Sequence, residues 1–329
     1  MQQQQQSRVD AQLDLSALRE RGRQSTQELF KEVVQTLERL AERSANPSEA
    51  DVKQLKHLEE YVSRLEHEAK VFRQANQAHT PISLEKANIL LLSGSSAYVE
   101  SENRKLLITW AKDEIKDLLG DKVRTLTFLP YAYEWGPDWH EVVEQKWREM
   151  GYCFDNIGRH ANPAEAIANA EAIYIEGGST PYLLHKLYEN NLVPAIRAAV
   201  ERGVPFIGSS AGSNVAMREI STTNDMPIID IPSRQALHLL PFALNPHFLD
   251  PDPSSKHCGE TRDERIYEYH QLNTTTVLGL REGGVLRVNC GKLEFKDLAN
   301  PRGTMRMFLK GQEPTEIQQG DLTSLLLGR

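Results

Sequence analysis

The sequence has little cysteine, no long apolar run and a shortage of basic charge. Cys153, Cys258 and Cys290 are the three cysteines of the 329-residue chain, widely spaced and without a Cys-x-x-Cys pair. That pattern argues against a disulfide framework and against a zinc knuckle. No stretch approaches the roughly 20 apolar residues of a membrane-spanning helix. Met1 is followed by Gln2 to Gln6 rather than by the apolar stretch of a secretory signal. Lys and Arg number 38 against 46 Asp and Glu, a net charge of -8, whereas gripping a phosphate backbone takes a concentrated positive surface. No His-Glu-x-x-His occurs, which disfavours a metallopeptidase, and no Gly-x-Gly-x-x-Gly follows a strand, which disfavours a dinucleotide site. The expectation is a cytoplasmic protein that uses no metal or cofactor and binds neither nucleic acid nor membrane.

Glycine and proline are almost missing from residues 1–86, which hold only Gly22, Pro47 and Pro81 among dense Glu, Lys, Arg, Gln and Leu. After the Gln tract, Leu29, Val33, Leu37 and Leu40 recur at helical spacing. Asn46-Pro47 breaks this stripe, and Ser48 with Asp51 three residues on is an acidic variant of the capping box. A second stripe of Leu55, Leu58, Val62, Leu65, Ala69 and Phe72 keeps the three-and-four step of a heptad seam. The pattern predicts a helical hairpin that oligomerises or docks, coiled-coil fashion, since two such helices bury too little surface to stand alone.

From about Lys86 short Ile-, Leu- and Val-rich runs alternate with longer amphipathic stretches. Strands are expected at 87–92, 123–129, 172–175 and 204–208. Helices are expected at 101–119, 139–150, 181–189 and 193–202. Apolar strands separated by helices are the pattern of a mostly parallel sheet covered on both faces, an α/β fold. Its sites lie at the carboxyl ends of strands, where Gly94, Gly177, Gly178, Gly208 and Gly212 cluster.

Gly208-Ser209-Ser210-Ala211-Gly212 fits Gly-x-Ser-x-Gly at a strand-to-helix turn. Such a turn lifts Ser210 above the sheet, and the helix N-terminus behind it favours a developing oxyanion. A serine hydroxyl needs a base and an acid to orient that base. Asp225 or Asp230, with His247, His238 or His257, could supply them, and the residues alone do not choose.

Six segments then carry a resemblance: Leu90 to Ser93, Ile173 to Thr180, Gly208 to Asn214, Thr222 to Pro227, Asn245 to Phe248 and Gly259 to Arg262. In order and spacing, Asn88 to about Gly320 resembles the peptidase E/cyanophycinase family of serine peptidases. The family's sheet resembles that of class I glutamine amidotransferases. The resemblance implies Ser210 as nucleophile, His247 as general base and then acid, and Asp225 as the residue supporting the triad. It places oxyanion donors at the N–H groups of Gly178 and Ala211. It implies hydrolysis of short peptides with N-terminal aspartate through an acyl-enzyme. Arg262 would hold the substrate carboxylate by a bidentate fork, and Glu260 or Glu176 would read its free amine. Asp225 favours the dipeptidase branch over the cyanophycinase-like one, which uses a glutamate in the triad. Two departures stand out: Ser209 replaces the family's tryptophan before the nucleophile, expected to make the pocket wall smaller and more polar, and residues 1–86 precede a catalytic domain of 87–329. Altered acidic specificity, including isoaspartyl peptides, and a non-catalytic scaffold are the competing readings.

Overall fold

The computed structural model describes residues 69–327 apart from 77, 79, 100–102, 134–136, 255 and 257, together with isolated positions between 53 and 67. The expected helical hairpin lies for the most part outside the described residues; positions 53, 56, 60, 63, 64 and 67 are helical. The chain divides into two compact units, Met1–Ala69 and Lys70–Arg329. The boundary expected near residue 86 therefore falls earlier. Gln74 Nε2 donates to the Tyr188 carbonyl at 2.9 Å and Arg197 donates to the Thr80 carbonyl at 2.6 Å. Val71, Ala78 and Ile82 are buried in the same core. The composition shift at Lys86 marks the first strand rather than the edge of packing.

That strand, β1 (Asn88–Leu92), shows why the apolar run is continuous. Ile89 and Leu91 enter the core on one face of the sheet, while Leu90 and Leu92 enter the core on the other. Each fully buried aliphatic side chain contributes roughly 1.5–3 kcal/mol. After the hairpin β2 (Ser96–Val99) and β3 (Arg104–Leu107), the sheet gains β4 (Thr125–Leu129), β5 (Cys153–Asn156), β6 (Ile173–Ile175) and β7 (Phe206–Ser209). A smaller sheet begins with β8 (Ala243–Pro246) and β9 (Val277–Leu280). The chain then returns to the large sheet through β10 (Gly284–Asn289) and β11 (Lys292–Asp297). The remaining strands are β12 (Met305–Phe308), β13 (Thr315–Ile317) and β14 (Gly320–Asp321). The large sheet has the order β14-β11-β10-β1-β7-β6-β4-β5 and the small one β13-β12-β9-β8. From β1 to β5 every pairing in the large sheet is parallel, and from β1 to β14 every pairing is antiparallel.

Helices α1 (Lys112–Leu119) and α2 (Pro137–Glu149) cover one face of the large sheet, α2 through Val143 and Trp147. On the other face lie α3 (Pro163–Ala168), α4 (Thr180–Glu189) and α5 (Leu192–Glu201). The expected helix over 101–119 holds only for its second half. Ser96–Val99 and Arg104–Leu107 pair as the β2–β3 ribbon instead, with Ala97 and Val99 buried and Tyr98 exposed between them. Because β1, β7 and β6 are parallel neighbours, their carboxyl ends deliver three loops to one place: Ser93–Ser95, the turn at Ser210, and Glu176–Gly178.

Candidate active site

Strand β7 turns directly into the short helix α6 (Ala211–Val215), and Ser210 sits between them at φ 52 and ψ -110. For a residue with a Cβ this is a sparsely populated conformation, costing of order 1–3 kcal/mol, and surrounding bonds must hold it. The Ser210 N–H donates to the Leu92 carbonyl at 3.1 Å. The Ser213 hydroxyl lies 2.7 Å from the same carbonyl and 2.8 Å from that of Gly208. A Cβ on Gly212 would lie 2.1 Å from the Ile175 carbonyl oxygen. Glycine there is what lets α6 approach β6 closely enough to make the turn. As the first residue of α6, Ala211 has an N–H with no intrahelical acceptor.

The histidine comes from the small sheet. In the parallel register of β8 and β9, Pro246 lies opposite Leu280. The residues just beyond, His247 and Glu282, therefore emerge side by side. His247 Nε2 is 2.8 Å from Ser210 Oγ and its Nδ1 is 2.5 Å from a Glu282 carboxylate oxygen. A Cβ on Gly94 would lie 2.6 Å from His247 Cε1, so the β1 loop is trimmed to admit the imidazole. His238, an alternative base, is buried with Nδ1 2.8 Å from the Ala78 carbonyl oxygen. His257 lies outside the described residues, and Asp230 is exposed.

The position expected of Asp225 is corrected by this geometry. Its Oδ2 accepts from the Thr180 N–H at 2.8 Å, the Thr180 hydroxyl at 2.6 Å and the Thr223 hydroxyl at 3.0 Å. It thus caps the start of α4, just after Gly177-Gly178, and the acid on His247 is Glu282. The neighbouring motif residues stitch this segment to β8. Thr222 Oγ1 donates to Leu244, Asn224 Nδ2 to the Pro246 carbonyl, and Asn245 Nδ2 to the Thr222 carbonyl. These bonds tie Thr-Thr-Asn-Asp to Asn-Pro-His-Phe: the first segment braces the strand from which the histidine projects.

Arg262 opens α7 (Arg262–Leu272), whose start is fixed by a capping box between Thr261 and Glu264. It lines a cavity of about 440 Å³ together with Glu260, Arg265, Asn224 and Leu249. Burial and the nearby Arg265 guanidinium lower its pKa, and the Asp225 carboxylate opposes them. Asp225 and Glu176 likewise act on Tyr133, which lines the cavity of about 460 Å³ holding Ser210, His247 and Gly178. Ser209 does not wall either cavity. It is fully buried beneath the turn, its hydroxyl 2.9 Å from that of Ser95 and 3.4 Å from that of Tyr174. Cys153, Cys258 and Cys290 are free and exposed. Among the described residues no group of His, Cys, Asp and Glu converges as a metal site, and no helix is long and apolar enough to cross a membrane.

Glu176, directly before the glycine pair, is 3% exposed and accepts from Trp139 Nε1 at 3.2 Å. Desolvation pushes its pKa from 4.5 up to about 8, and the tryptophan bond only partly opposes it. A raised carboxyl pKa means that the folded state favours the neutral acid. The stability held below pH 4.5 is therefore lost as pH rises through about 8. At about 1.4 kcal/mol per unit the cost reaches a few kcal/mol. Glu176→Gln keeps an acceptor for Trp139 and removes the ionisation. The variant is expected to melt with wild type at pH 5 and about 5 °C or more above it at pH 9. Parallel melting curves across that range would mean that Glu176 is hydrated enough to ionise freely.

A carboxylate, an imidazole and a serine in hydrogen-bonded sequence, with the serine on a strand-to-helix elbow, define a serine hydrolase type of centre. Residues 89–295 match the model of peptidase family S51, and the chain belongs to that family. A peptidase E of Streptomyces coelicolor is 38% identical over 240 residues, covering 73% of this chain and 95% of its own. A probable alpha-aspartyl dipeptidase of Drosophila melanogaster is 41% identical over 203 residues, covering 61% of this chain and 82% of its own. The crystal structure of a peptidase from an acI-B1 actinobacterium matches in fold, with a TM-score of 0.53 at 16% identity, over 72% of this chain and 96% of that one.

Proposed function

We propose that the protein is a serine dipeptidase that releases N-terminal aspartate from dipeptides through an acyl-enzyme. The observation that carries the reading is the continuous bond sequence from Glu282 through His247 to Ser210 Oγ on a strained elbow. His247 Nε2 takes the Ser210 proton as the oxygen attacks the scissile carbonyl, and Glu282 holds the ring tautomer and stabilises the imidazolium. The tetrahedral oxygen develops its charge against the N–H groups of Gly178 and Ala211. The imidazolium then gives its proton to the leaving amine, and water attacks the acyl-enzyme by the reverse proton route. Arg262 holds the aspartate side chain, with Asp225 fixing the oxyanion loop and facing that guanidinium. Glu260, on the wall of the Arg262 cavity, reads the substrate amine.

We place the protein in the cytoplasm, where free exposed thiols such as its three persist. We infer that the helical extension within residues 1–86 docks or assembles copies of the chain through its heptad seam.

The test is hydrolysis of Asp-Leu against Ala-Leu, Glu-Leu and isoAsp-Leu, with Ser210→Ala as control. Strong preference for Asp-Leu, lost in the variant, is the expected outcome. Preference for isoAsp-Leu would shift the specificity and keep the chemistry. Turnover that survives Ser210→Ala would overturn the mechanism.

A further inference from the structure

The β2–β3 ribbon stands where the pattern of the sequence predicts the first half of a helix, and it lines the catalytic cavity. Its register pairs Tyr98 with Lys105, which puts both side chains on one face. The opposite face is anchored: Ala97 and Val99 are buried in the sheet's core and Leu106 packs against it. The ribbon base is held as well, by the Ile108 N–H and Trp110 Nε1, both donating to the Ser95 carbonyl. With one face fixed in the core, the other presents Tyr98 and Lys105 to the cavity of about 460 Å³ that contains Ser210, His247, Gly178 and Tyr133.

The charges around the nucleophile are then laid out on two walls. The guanidinium groups of Arg262 and Arg265 line the neighbouring cavity, and Asp225 acts electrostatically on both Arg262 and Tyr133. In the catalytic cavity itself the one acid among the lining residues, Glu282, is committed to His247 Nδ1. Lys105 is the ammonium on that wall, and it has no ion pair among the described residues. A dipeptide with N-terminal aspartate carries a matching pair of anions. Its side-chain carboxylate lies on the acyl side of the scissile bond, and its terminal carboxylate lies on the leaving-group side. That terminal carboxylate is within roughly 4–5 Å of the scissile carbon, and each added residue moves it out by about 3.3–3.6 Å and leaves a neutral amide in its place.

We propose that Lys105 receives the terminal carboxylate of the leaving amino acid and thereby selects dipeptides over longer or capped peptides. The assignment rests on the reading of the site as an Asp-dipeptidase. A lysine suits the task because its ammonium is a point charge on a flexible stem, which tolerates different leaving side chains, whereas a rigid fork would demand one geometry. The interaction is made in the ground state and the transition state alike, so it acts on KM more than on kcat.

The experiment compares Asp-Leu with Asp-Leu-amide, which differ only in the terminal charge, for wild type, Lys105→Met, Lys105→Glu and Lys105→Arg. Wild type is expected to favour Asp-Leu about tenfold in kcat/KM. Lys105→Met should abolish that preference by raising KM for Asp-Leu, Lys105→Glu should reverse it, and Lys105→Arg should retain it. Equal losses on both substrates, or an unchanged preference in Lys105→Met, would overturn the role of Lys105 while leaving the dipeptidase reading intact. Absence of hydrolysis of either substrate by wild type would overturn both.

Discussion

Glu282→Gln is expected to lower kcat for Asp-Leu by about three to four orders of magnitude, with KM little changed and the fold intact. The amide keeps the shape of the acid beside His247 Nδ1, now 2.5 Å from the carboxylate. It supplies no negative charge for the imidazolium that forms as Ser210 attacks, and it admits the tautomer that turns a hydrogen toward the serine. Loss confined to kcat is the mark of an interaction made in the transition state. Asp225→Asn is the matched comparison, because it removes an acid of the same motif set and leaves the His247–Glu282 bond in place. Reaction of Ser210 with a small organophosphorus reagent, which has no aspartyl group to bind, separates the two. Labelling should nearly stop in Glu282→Gln and slow far less in Asp225→Asn. If Glu282→Gln retained activity within tenfold of wild type, the orientation of His247 would belong to another group.

Why Ser210 and His247 were legible while Glu282 was not follows from how each is positioned. Ser210 announces itself locally: an apolar strand, two glycines and a helix start lie within nine residues, and those same residues build the elbow. His247 is one of three candidate histidines by the residues alone and is singled out only by the family resemblance of Asn245 to Phe248. Glu282 reaches His247 only because β8 and β9 pair in parallel across an intervening helix, and no short-range signal encodes that pairing. Its local context, Arg281-Glu282-Gly283-Gly284 between two buried strands, reads as an ordinary turn. Asp225 drew the assignment because it is an acid in the right motif, yet its hydroxyl and N–H partners come from Thr180 and Thr223. The parallel strands β1, β4, β6 and β7 were readable from their buried runs to within about two residues, whereas β5, which has no fully buried residue, and the parallel pair β8–β9 were not. The β2–β3 ribbon was not, because it is short, has one exposed face and stands apart from both larger sheets.

Arg262→Met should cost Asp-Leu about a hundredfold to a thousandfold in kcat/KM and change Ala-Leu by less than threefold. Removing one partner of a desolvated charge pair costs about 2–5 kcal/mol, because the remaining carboxylate is left without a counter-charge. Arg262 is suited to that task by its setting. It stands at the first position of α7, where the capping box fixes the backbone, and half-burial lowers its pKa and its hydration. Arg265 beside it adds positive potential, and the Asp225 carboxylate partly offsets that potential. Arg262→Lys should recover only part of the loss, since an ammonium at that point lacks the planar fork that grips both carboxylate oxygens. The size of the gap between Asp-Leu and Asn-Leu, which is nearly the same shape, then measures how much of the specificity is charge. A gap that persists in Arg262→Met would move the recognition of the side chain to Arg265, the other cation of the same cavity.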